Sequence, residues 1–152
     1  MKFVIKISFI LSIAIAACSA PKQFQYFRTG EVTCVSHDSR LVKVSSIYTS
    51  GSAEQAQLFA ERNAVENLLF RGIPGCYDVP IVADETKSLQ SHDAFYDWLI
   101  DDREYERYIT EKTADVSSPS SGTTRVTMKI TFDVPALRKE MENRGVIKKF
   151  GI

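Results

Sequence analysis

Three cysteines and two histidines carry the most chemistry in this 152-residue chain. Each histidine precedes an aspartate, as His37-Asp38 and His92-Asp93. A His–Asp pair can form an oriented general base, but sequence neighbours seldom face each other as that requires, and no nucleophile stands at a matching spacing. His37 falls in a polar turn and reads as a solvated residue. His92 falls in the first turn of an expected helix, where Asp93 suits the positive helix end. Cys34 and His37 are both zinc-ligand types, but a structural zinc site needs four ligands, and strand residues three apart point to opposite faces. Asp101, Asp102, Glu104 and Glu106 form an acidic run without the glycine and spaced oxygens of a calcium loop. The sequence contains no phosphate loop, dinucleotide glycine fingerprint, nucleophile elbow or metalloprotease helix. The expectation is a protein that is not an enzyme, with no catalytic residues, metal or cofactor.

Cys18 ends a different kind of segment. Residues 1–17 hold Lys2 and Lys6 and then an apolar run over 7–17, interrupted only by Ser8 and Ser12. A positive start, a short apolar core and small residues at its end read as a secretory signal peptide. The run is too short to cross a bilayer of about 30 Å as a permanent helix. Ile15-Ala16-Ala17-Cys18 resembles the lipobox of bacterial lipoproteins, which implies diacylglyceryl modification of the Cys18 thiol and cleavage before it. Ser19 in the following position implies sorting to the outer membrane, where the host has one, facing the periplasm or the cell surface. Two or more acyl chains anchor a protein stably, whereas one is marginal. In an oxidising periplasm Cys34 and Cys76 could pair; the other reading is two buried thiols acting as small hydrophobes.

The chain has 19 basic and 19 acidic side chains, so no basic surface points to nucleic acid. Without residues 1–17 it has 135 residues, 17 basic and 19 acidic, enough for one self-sufficient domain. Residues 18–29 read as a tether, with Phe24, Tyr26 and Phe27 as aromatics that could dock on the domain, and residues 30–152 as that domain.

The elements follow from periodicity. Residues 31–36 and 41–49 alternate around the polar turn 37–40 and read as a hairpin. Residues 53–71 read as a helix, capped by Ser52 with Gln55 and stopped by Gly72 and Pro74. On it Ala53, Ala56, Ala60, Ala64 and Leu68 form one stripe. Leu58, Val65 and Leu69 form another, nearly opposite, so the helix is expected between two layers. Residues 72–84, with two glycines and two prolines, read as a shaped loop. Residues 91–100 read as a short helix covering the second stripe, with Ser91 as N-cap. Residues 105–116 and 124–132 read as strands around a flexible turn at 117–122. Residues 134–144 read as a last helix started by Asp133 and Pro135 and stopped by Gly145. Ile147 and Phe150 in the basic tail could dock on the core. The order β-β-α-α-β-β-α implies an α+β fold, a two-layer sandwich of about four antiparallel strands with helices on one face.

Asn63-Ala64-Val65 followed by Leu68-Leu69-Phe70-Arg71-Gly72-Ile73-Pro74-Gly75 resembles a motif of small uncharacterised lipoproteins of Bacteroidetes-type bacteria. Residues 95–109 and the tail 145–152 fit the same resemblance, which covers most of the chain beyond the signal. The alanine-striped helix after a hairpin is also similar to lipoprotein-20 type domains and to the N-terminal domain of a flagellar assembly protein. The resemblance implies envelope localisation and a non-enzymatic role, and brings no catalytic residues. The leading expectation is a membrane-anchored envelope interaction or assembly module whose partner is another envelope protein. The alternative is a small-ligand or glycan binder, and an envelope enzyme ranks last. Ile73, Pro74, Tyr77 and Tyr96 are the expected contact residues, since aromatics on shaped loops dominate hot spots. Phe95 and Trp98 are candidates for the same role, although burial in the core is the stronger expectation for both. A contiguous apolar patch would favour the first function and a concave pocket with converging polar groups the second. The sequence carries no signal for oligomeric state.

Overall fold

The computed structural model describes residues 24–120 and 122–149. The expected signal peptide, Cys18 and Phe150 lie outside the described residues. β1 (Val32–His37) and β2 (Leu41–Ser50) form the first hairpin. Its turn is fixed by the Asp38 carboxylate, which accepts from the Arg40 and Leu41 amides at 2.7 Å each. α1 (Ala53–Phe70) follows, then α2 (Glu85–Ser91), α3 (Asp93–Tyr96), a π-helical turn Asp97–Asp101 and a 3₁₀ turn Glu104–Tyr108. β3 (Ile109–Ser120), β4 (Thr123–Asp133) and α4 (Val134–Asn143) complete the chain. The four strands form one antiparallel sheet in the order β1-β2-β4-β3. The fold is α+β, with the main helix packed on one face of the sheet.

Register explains the core. β2 and β4 pair without a slip from Leu41 opposite Asp133 to Ser50 opposite Thr124. Val42, Val44, Val126, Met128, Ile130 and Phe132 therefore share one face and are buried, while Lys43, Arg125 and Lys129 share the wet one. Ala56, Ala60 and Ala64 are fully buried on α1, which lies across β2 and β4. Their small side chains let the helix axis come close to the sheet. Filling this layer with side chains such as Phe132, Leu68 and Ile130 contributes about 1.5–3 kcal/mol each. Val65 and Leu69, on the other side of α1, are buried too, and Phe70 meets Tyr96 ring to ring at 5.5 Å. The α3 region is thus the second cover that the two stripes require.

α1 begins as expected, with the Ser52 hydroxyl accepting from the Gln55 amide at 3.2 Å. It ends at Gly72, whose φ is +76° and where a Cβ would lie 2.6 Å from the Asp78 carbonyl oxygen. Glycine is needed there for both reasons.

Four boundaries differ from the sequence reading. The single helix expected over 91–100 is split: α2 starts earlier, capped by Asp84, and His92 breaks the run. Residues 105–108 belong to the 3₁₀ turn and not to β3, because Tyr105 is drawn into the core. β3 continues through residues 117–120, which the sequence assigns to a turn. Serines carry no apolar alternation, but Ser117 and Ser120 pair with Arg125 and Thr123 of β4 across a register slip and keep the stretch extended. The tether is shorter than expected. The Thr29 amide donates to Asn63 Oδ1 at 2.8 Å, Asn67 Nδ2 donates to the Thr29 carbonyl at 2.9 Å, and the Tyr26 hydroxyl donates to Glu66 at 2.9 Å. Residues 24–29 are therefore strapped along α1, with Tyr26 stacked on Tyr48 and both rings against Phe59.

Candidate functional site

The residues expected to contact a partner do not form one surface. Ile73 is fully buried, bridged by backbone hydrogen bonds to Tyr77, and Tyr96 is 4% exposed with its hydroxyl 2.7 Å from that of Ser88. Both correct the sequence reading: the tight loop after α1 turns Ile73 inward, and α3 packs Tyr96 under α2. Phe95 is likewise buried, and Trp98 is half-buried beneath the Arg144 guanidinium at 4.1 Å. Pro74 is exposed, and Tyr77 is half-buried with its hydroxyl accepting from Arg138 at 3.1 Å.

Cys34 and Cys76 are joined as a disulfide, with their Cα atoms 5.3 Å apart. This ties β1 to the loop after α1 and leaves Cys34 no role as a metal ligand. The acidic run near residue 101 is largely ion-paired: Asp101 with Arg62 at 2.8 Å, Glu104 with Arg107, and Glu106 with Arg103 and Lys112. Among the described residues, no group of three or more His, Cys, Asp or Glu is placed to hold a metal.

The structure directs attention to β3. It is an edge strand, twelve residues long, and Thr110 through Ser118 are all exposed. Opposed residues of an antiparallel pair share a face. Lys112 pairs with Ile130, Ala114 with Met128 and Val116 with Val126, so these three lie on the helix side of the sheet. Yet α1 covers β2 and β4 and leaves this part of β3 open; Val116 is 51% exposed. A groove of about 200 Å³ separates α1 from β3, lined by Glu54, Gln57, Leu58, Glu61, Arg103 and Lys112.

An ionic latch centred on a buried carboxylate spans that groove. Glu61 is 2% exposed on α1 and accepts from Lys112 Nζ at 3.1 Å and Arg103 Nη2 at 3.2 Å. Arg103 has φ +63°, a left-handed conformation that costs a non-glycine residue about 1 kcal/mol or more. That turn directs its guanidinium to both Glu61 and Glu106. Burial pushes the neighbouring Tyr105 hydroxyl up to about 12, reinforced by the Glu61 charge, so it stays protonated. The latch joins α1, the 3₁₀ turn and β3. Sequence reading missed these residues. β3 is legible as a strand, and Lys112, Ala114 and Val116 alternate within it, but its edge position depends on sheet order.

No family model, curated protein or solved structure was found to match this chain.

Proposed function

We propose that the protein is a lipid-anchored lipoprotein of the bacterial envelope that acts as a non-enzymatic interaction or assembly module, with its partner docking as an added strand on β3. The observation that carries the docking reading is the long exposed edge of β3 with its open flank. An edge strand offers unpaired backbone N–H and C=O groups that template another strand. Alternate side chains of such a strand would rest over Ala114 and Val116 towards Leu58. The others would lie on the wet face beside Thr113 and Asp115. Asp115 has no ion-pair partner among the described residues, which favours a basic residue opposite it. The partner is therefore a protein segment alternating apolar and basic residues.

The anchor reading rests on the residues around Cys18. Five residues separate Cys18 from Phe24, the first described residue, a reach of about 20 Å over six steps when fully extended. A leash that short holds the domain close to the membrane surface and raises its effective concentration for partners there. Metabolic labelling with a palmitate analogue should mark the wild type and not Cys18→Ala. A photo-crosslinker at position 114 should give a discrete adduct in the native envelope, and one at Thr33 on β1 should not. The Cys18→Ala strain should match the deletion strain in phenotype although the protein is secreted and folded. Equal labelling of both forms, or full rescue by the unanchored form, would sink the anchor reading; equal adducts at both positions would sink the docking reading.

A further inference from the structure

A second feature lies behind the last turn of α1. There the Ile81 and Val82 amides donate to the Leu68 and Leu69 carbonyls, at 3.4 and 2.9 Å, and lay residues 81–84 against the helix end. Together with α2, α4 and the segment after it they enclose a cleft of about 510 Å³. This is within the range of cavities that hold small molecules, roughly 300–1,000 Å³. Its floor is apolar, made by Ile81, Val82, Val146 and Ile147. Its rim is basic, with Lys87, Arg138 and Lys148 from three separate elements. His92 is also on the rim, and Asp84 is the one acidic lining residue. The Asp84 carboxylate is engaged locally, accepting from the Lys87 amide at 3.0 Å. Among the described residues neither Lys87 nor Lys148 has an ion-pair partner.

We infer that this cleft binds a small amphiphilic anion, a carboxylate or phosphate head on a short apolar body. The apolar floor takes the body out of water, and the two unpaired lysine ammonium groups with Arg138 meet the head. A neutral body of the same size would gain the floor and lose the rim; a bare anion would gain the rim alone. Charge complementarity therefore selects the occupant: two lysines without an ion-pair partner among the described residues, beside one locally engaged carboxylate, favour an anion and disfavour a cation. The site is separate from the β3 edge and stands whether or not a strand docks there.

The test uses the full chain carrying Cys18→Ala, ¹⁵N-labelled, titrated with decanoate, octyl phosphate, 1-decanol and acetate. Decanoate or octyl phosphate should shift the amides of residues 81–92 and 146–148 saturably, and the preferred head names the source of the ligand. Decanol should bind at least tenfold more weakly and acetate not measurably. Lys87→Gln with Lys148→Gln should weaken the anion by about tenfold or more, with an unchanged spectrum elsewhere and an unchanged melting midpoint. The difference between decanoate and decanol should shrink as salt rises. Equal affinity for decanoate and decanol, shifts confined to other regions, no saturation at millimolar ligand, or undiminished binding by the double variant would each overturn the inference.

Discussion

β1 is six residues long, carries a bulge between Cys34 and Ser36, and is bonded through Cys34 to the loop after α1. β3 is twelve residues long, pairs without a slip from Glu111 to Ser117, and has no covalent tie. Both are edges of the same sheet. The first uses shortness, a bulge and a crosslink, devices that blunt an edge against pairing with other chains. The second has some charge, from Glu111, Lys112 and Asp115, but its length and its uncovered helix-side face remain available. Stability alone does not call for that asymmetry. A sheet that seals one edge and leaves the other open directs association to a single place, and this is the physical content of the proposed interaction role.

The largest expected effect comes from unsealing β1. The disulfide closes a separation of 42 residues, for which loss of chain entropy in the unfolded state predicts a stabilisation of about 4 kcal/mol. The Cys34→Ser, Cys76→Ser double variant should lose roughly that much in urea unfolding, and hydrogen exchange should quicken at β1 amides before those of β4. A loss below about 1 kcal/mol would mean that β1 is held by its pairing with β2, and the contrast between the two edges would weaken.

Much of this contrast was not legible in the sequence, for identifiable reasons. The fold class follows from local signals: the alternation of residues 126–132, the alanine stripe, and the caps Ser52, Gly72 and Asp133 all specify elements by themselves. Which strand becomes an edge does not, because β1 and β3 carry similar local patterns and differ only in what the topology lays beside them. Ile73 and Tyr96 stand among the expected contacts because shaped loops and aromatics make hot spots. Their burial depends on the loop after Gly72 folding Ile73 back onto Tyr77 and on the break at His92, and no local signal marks either. Glu61 is one of several charged residues on α1, and nothing in its neighbours marks it as the one facing Lys112 across the groove. The strap of residues 24–29 was legible only as a hint, through its aromatics. Asn63 and Asn67, which hold it, read as ordinary helix residues until the partner chain segment is placed beside them.

The next effect should come from the latch. Removing one partner of a fully buried ion pair costs 3–5 kcal/mol. Here the cations are 41% and 37% exposed and can turn to water, which lowers the expected cost of Glu61→Gln to about 1–2 kcal/mol. Hydrogen exchange in the variant should quicken along β3 and the 3₁₀ turn while β1 is unaffected, the reverse of the disulfide variant. If β1 and β3 respond together in either variant, the two edges are one cooperative unit, and the groove beside β3 is not set independently by the latch.

The smallest effect on stability should fall where the effect on function is greatest. Ala114 and Val116 are exposed on the strand that no helix covers, so replacing both with lysine removes little buried surface. Surface substitutions of this kind usually change stability by no more than about 0.5 kcal/mol. A docking strand would have to bury the same two positions. Two added ammonium groups would then be desolvated beside a partner read as basic at alternate positions, and edge lysines are a natural block to strand addition. Ala114→Lys with Val116→Lys should therefore keep the wild-type melting midpoint, lose the crosslink expected at position 114 when the probe is placed at Thr113 in that background, and reproduce the deletion phenotype. The same pair of lysines at Thr33 and Val35 on the sealed edge should leave the phenotype untouched. A strain that tolerates lysines on β3 as well as it tolerates them on β1 would show that the open edge is only an uncovered strand. A phenotype from the β1 pair alone would place the docking surface on the other side of the sheet.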